Sequence, residues 1–205
     1  MKRNIPLLFA FSLIGLNATS QNSLGLKAGI NLAYQTITSN SAIFPHQTQQ
    51  TKSLLGYQFG IFYKAKISKK LALSTEANFS VIGGRNQYFS LPPGGGTAFT
   101  VQYSNDKIAY FELPLLMQYN LSKFYISAGP SFLFKLFSKS GLSGSTLYYK
   151  SFNVAANLLG GYHVSKKWDV NLRYSYGLLN INTDLNGDAK KKNRNLNLSL
   201  LYALK

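Results

Sequence analysis

The 205-residue sequence contains no cysteine. That separates it from the small secreted domains that are held together by disulfides. Acidic residues are scarce, with 6 Asp plus Glu against 22 Lys plus Arg and a formal net charge of +16. Such an excess suits an anionic surface, nucleic acid or simple solubility. Past the first twenty residues, no apolar run is long enough to cross a bilayer as a helix. If this chain enters a membrane, it enters as strands.

The first twenty residues have their own character. Lys2 and Arg3 precede an apolar run from Ile5 to Leu16, and Ala18-Thr19-Ser20 offers small residues for cleavage. This is the layout of a secretory signal peptide, with cutting expected after Ser20. The run itself is too short to span a bilayer. Residues 21–205 then form one domain of ordinary size. Exported chains seldom meet nucleic acid, so no nucleic-acid partner is expected and an anionic surface is the better match for the charge.

Period-two alternation runs through most of what remains. In WDVNLRYSYGLL, Trp168, Val170, Leu172, Tyr174, Tyr176 and Leu178 share one face, and Asp169, Asn171, Arg173, Ser175 and Gly177 the other. That is a β-strand with one apolar and one polar side. Seven further segments behave alike: 24–34, 55–67, 71–81, 111–121, 124–136, 152–164 and 196–204. At about 9–13 residues they are longer than most soluble strands, and of the length a tilted strand needs to cross a bilayer.

The connections alternate in length. Ser68-Lys69-Lys70, Ser122-Lys123 and Ser165-Lys166-Lys167 are tight, whereas 35–54, 84–107, 138–150 and 180–194 are long. Short periplasmic turns alternating with long outer loops mark outer-membrane barrels. The aromatic residues on the apolar face fall near the strand ends. Tyr63, Tyr119, Phe124, Tyr162, Trp168 and Tyr202 lie beside the tight turns, and Tyr34, Tyr57, Phe134 and Phe152 beside the long loops. Two such belts are expected where a barrel meets the membrane interfaces. The predicted fold is all-β: an eight-stranded antiparallel up-and-down transmembrane β-barrel, its apolar face toward lipid.

A barrel of eight strands is just wide enough to be filled by its own side chains. The inward faces carry Lys27, Lys64, Glu76, Glu112, Lys135, Asp169 and Arg173, among several Asn and Gln. Buried charges are tolerable only when paired, so an interior ion-pair network is expected, centred on Glu76, Glu112 and Arg173. The interior is thus a polar plug, and the remaining acids, Asp106, Asp184 and Asp188, belong to outer loops. The other basic residues gather at the two rims, where they suit anionic headgroups and lipopolysaccharide phosphates.

Three segments, GLKAGIN (25–31), YFELPLLMQY (110–119) and AGPSF (128–132), resemble the outer-membrane β-barrel domain of Bacteroidota, the PorT-like or porin-family group. The resemblance covers essentially the whole chain after residue 20, with Tyr-x-Glu-Leu-Pro-Leu-Leu its distinctive part. It implies an eight-stranded outer-membrane barrel, with Glu112 pointing inward and Pro114 where a strand bends. One namesake branch is associated with secretion of virulence proteins. No residue here marks that branch.

Motifs for chemistry are few. His163-Val164-Ser165 resembles the His and Ser of barrel lipid A deacylases, but it abuts a tight turn, and no carboxylate is expected to orient His163. Asp184-Leu185-Asn186-Gly187-Asp188 lacks the closing Glu of a calcium loop. Leu91-Pro92-Pro93-Gly94-Gly95-Gly96 lacks the Lys of a phosphate loop, and His46 is isolated. No catalytic residue, metal or cofactor is expected. The expectation is a monomeric, non-enzymatic barrel working as anchor, adhesin or binder of lipopolysaccharide or an envelope protein. The alternatives are a lipid-modifying enzyme or an accessory subunit of an export machine.

Overall fold

The computed structural model describes residues 22–39, 47–90, 100–141, 149–183 and 189–204. The expected signal peptide, His46, and the motifs at 91–96 and 184–188 lie outside them. The described chain forms nine strands: β1 (Ser23–Ser39), β2 (Gln47–Gln50), β3 (Leu54–Lys66), β4 (Leu71–Ser90), β5 (Thr100–Leu121), β6 (Phe124–Lys139), β7 (Phe152–His163), β8 (Trp168–Gly177) and β9 (Ala189–Ala203).

Every neighbouring pair is antiparallel, in the order β1-β3-β4-β5-β6-β7-β8-β9, and β9 returns to β1 to close the ring. Eight strands make the barrel. The ninth, β2, pairs only with the outer end of β1 and belongs to the first long connection. Followed strand by strand, the register starting at Leu24 comes back to β1 at Tyr34. That stagger is what tilts the strands and sets the width of the ring.

The outward face carries the apolar residues predicted for it. Leu26, Phe59, Met117, Ile126, Leu158, Leu172 and Leu198 are all exposed, because no protein layer covers them. Buried instead are Lys27, Asn31, Glu76, Asn78, Glu112, Asn157, Arg173 and Asn197. This inversion of ordinary burial is what a lipid-facing barrel requires.

The tight turns are built as their spacing suggested. At Ser122-Lys123 the chain reverses in two residues, and Ser122 adopts a φ of 58°. Two-residue hairpin turns need such a positive φ to match strand twist, and a residue with a Cβ is strained by it. The other two turns use a serine hydroxyl to accept backbone N–H groups, from Lys70 and Leu71 at Ser68 and from Lys167 and Trp168 at Ser165.

Two of the expected long loops are in part strand. Residues 84–90 and 100–107 are paired strand: β4 and β5 stay together to Ser90–Thr100, so these strands project beyond their neighbours. Gly83-Gly84 interrupts the apolar alternation, and the paired residues beyond it mix Arg, Asn, Gln and Ser with Tyr, Phe and Val in no clean period, which hides the strands. Likewise Lys190, Lys191 and Lys192 sit in β9, paired with Thr38, Ile37 and Thr36.

Candidate functional site

The barrel interior is layered. At mid-height, Lys27 of β1 donates to Glu76 Oε2 on β4 at 2.7 Å, and Asn78 Nδ2 donates to the same oxygen at 2.7 Å. From β8, Arg173 Nη1 donates to it at 3.2 Å and lies 3.8 Å from Glu112 Oε1 on β5. Glu112 also accepts from Ser131 Oγ at 3.0 Å, and Ser131 and Ser175 are tied together through Asn157. Two cations thus face two carboxylates, all buried, so the layer is neutral as a unit. Above it, Asn31 bonds to Ser80 and to the carbonyls of Tyr57 and Val81, and accepts from Asn195 and Asn197. A cavity of about 10 Å³ lies beside Glu112, Ser80 and Asn153, room for about one water.

Polar side chains do not fill the whole interior. Ile82, Ile108, Tyr110, Leu133, Tyr149 and Ile181 form an apolar cluster between the Asn layer and the long-loop mouth. Leu116, Tyr125 and Leu159 form a smaller one toward the tight turns. The all-polar plug is therefore corrected to a polar layer between two apolar ones. Asp106 is likewise corrected: it lies in β5, not in a loop, and is buried inside the long-loop mouth, accepting from Asn86 and Ser104.

The tight-turn end opens into a cavity of about 800 Å³ whose lining includes Lys64, Lys66, Lys69, Lys123, Lys166, Lys167 and a single carboxylate, Asp169. Lys64 donates to Asp169 Oδ2 at 2.7 Å, and His163 Nδ1 lies 2.7 Å from Asp169 Oδ1. His163 has a carboxylate partner, contrary to expectation, because the β7–β8 register sets it directly opposite Asp169. The floor was missed too. Phe62 and Tyr125 point inward, each paired across strands with a glycine, Gly25 and Gly161. A Cβ at Gly161 would meet the Tyr125 ring at 2.1 Å. Inward aromatics opposite inward glycines were the signal that could have found this floor.

The belt residues stand on the outer face. Phe124–Tyr162 (4.9 Å) and Trp168–Tyr202 (4.7 Å) pair near the tight turns, alongside Tyr63 and Tyr119. Near the long loops, Phe134–Phe152 pair at 5.3 Å, Tyr57 contacts Phe79, and Tyr34 is half-buried beside Tyr174. Among the described residues, no three His, Asp or Glu side chains converge as a metal site would need.

A sequence model described as "Outer membrane protein beta-barrel domain" matches residues 6–182. The chain belongs to this family. Among solved structures, it is similar to Neisserial surface protein A at 13% identity, covering 89% of this chain and 99% of that one, with a TM-score of 0.49. It is also similar to Ail, the attachment invasion locus protein of Yersinia pestis, at 10% identity, 89% and 100% coverage and a TM-score of 0.43. The outer membrane protease OmpT of Escherichia coli follows at 9% identity, 89% and 96% coverage and a TM-score of 0.40. No curated protein matches the sequence.

Proposed function

We propose that this outer-membrane barrel is a closed, non-conducting scaffold that displays its long-loop end as a binding surface. The packing inside the barrel supports this reading. A layer of paired charges lies between two apolar clusters, leaving beside Glu112 a void of only about 10 Å³. A channel would need continuous water there. On this reading the first twenty residues are a signal peptide, the tight turns are periplasmic and the protein is monomeric. The Tyr110, Glu112, Leu113, Pro114, Leu115 and Leu116 pattern supports membership in the PorT-like branch of Bacteroidota. Expression in a Bacteroidota host should give outer-membrane protein beginning at Gln21, and planar bilayers holding it should show no steady conductance. Ion flow through single molecules would sink the scaffold reading.

One observation favours a second reading, a hydrolase. The His163–Asp169 pair sits in the open tight-turn cavity with the geometry of an oriented base. Against it, the serine two residues on, Ser165, accepts from two backbone amides and holds the turn. If the hydrolase reading holds, a His163→Ala barrel should lose an ester-hydrolysing activity on lipid that the native barrel has. Equal or absent activity in both would remove it.

A further inference from the structure

We infer that the outward face of the long-loop rim, from Lys52 just before β3 across the outer parts of β4, β5 and β6, is a binding site for the phosphate of an outer-leaflet lipid headgroup. The inference rests on the reading above, in which the long loops face outward. Lys52 and Arg85 are clamped together by reciprocal backbone bonds of 3.0 and 2.9 Å. Both cations lie over one ring, Tyr103, with Lys52 Nζ 4.8 Å and the Arg85 guanidinium 4.4 Å from its centroid. The ring thus gathers two charges and limits their freedom. On the next pair of strands, Lys107 of β5 stands directly opposite Lys139 of β6. Like charges facing one another across a sheet destabilise it unless an anion lies between them.

Depth and balance point to the same ligand. Lys139 is two residues beyond the exposed Phe137, and Lys107 four beyond the exposed Phe111, so both stand next to apolar residues that the barrel turns outward near its long-loop end. A lipid phosphate lies at that depth, where each cation near an anionic membrane surface contributes. All four side chains are exposed, and none has a carboxylate at ion-pair distance among the described residues. Every described carboxylate is turned inward instead: Glu76, Glu112 and Asp169 in the lumen, and Asp106 bonded to Asn86 and Ser104. A protein needing only solubility would have no reason to withhold acids from this face.

The test compares the full-length mature barrel, folded in phosphatidylcholine nanodiscs doped with phosphorylated lipid A, with Lys52→Gln/Arg85→Gln and Lys107→Gln/Lys139→Gln variants. Lys69→Gln/Lys166→Gln, at the tight turns, is the control. Lipid retained by the protein is read by native mass spectrometry. Each rim variant should retain on the order of tenfold less phosphorylated lipid, the control should match the native barrel, and dephosphorylated lipid A should be held poorly by all. Equal retention by native and rim variants would overturn the inference. So would equal loss in the control, or displacement by millimolar inorganic phosphate, which would mark a site for free phosphate. Each sample's unheated band on a denaturing gel keeps failures separate. A shifted band with unchanged lipid retention defeats only this inference, whereas an unshifted native band defeats the barrel reading beneath it.

Discussion

Glu76 accepts from Lys27, Asn78 and Arg173, so it is the residue on which the buried network converges. Replacing it with Gln would leave two buried cations facing only Glu112, whose approach to Arg173 is long at 3.8 Å. Breaking a buried pair from one side costs about 3–5 kcal/mol. Lys27→Met should cost less, because Glu76 keeps Arg173 and Asn78. The double variant should recover part of the Glu76→Gln loss, since it leaves Arg173 against Glu112 alone. Urea unfolding of barrels in lipid vesicles, followed by Trp168 fluorescence, measures all three. If Lys27→Met proves the more damaging single change, the network is not centred on Glu76.

At the scale of elements, legibility depended on whether a strand met lipid. Where it did, the outward residues had to be apolar and the inward ones polar, and alternation located the strand to within a few residues: Trp168–Gly177 and Phe152–His163 are examples. Past the apolar band, the outward face no longer has to be apolar at every second position, and the alternation breaks up. The outer halves of β4 and β5 therefore look like loop in the sequence, although their pairing runs unbroken to Ser90–Thr100. The same limit applied to the site. Sequence could put Glu76, Glu112, Lys27 and Arg173 on inward faces, because facing follows from parity. It could not put His163 opposite Asp169, or Phe62 opposite Gly25, because those contacts depend on register between strands. Register in turn depends on turn geometry that single residues such as Ser122 only suggest.

For the whole molecule, the decisive feature is closure. Strands β1 and β9 lie at opposite ends of the described chain, yet they pair from Gly25–Ala203 to Ser39–Ala189. A closed ring has no free strand edge, so detergent can reach its backbone hydrogen bonds only by opening many at once. A folded barrel should therefore survive a denaturing detergent without heat and run faster on a gel than the boiled chain. A chain ending before Ala189 lacks β9, which leaves β8 and β1 as open edges. It also loses Asn195 and Asn197, the donors that hold the Asn31 layer. That chain should give only the slow band at every temperature. A heat-sensitive fast band from the truncated chain would mean that compactness here comes from local hairpins and not from the ring. If the fast band belongs to the intact chain alone, the pairing of the most distant strands is what makes this sequence a barrel.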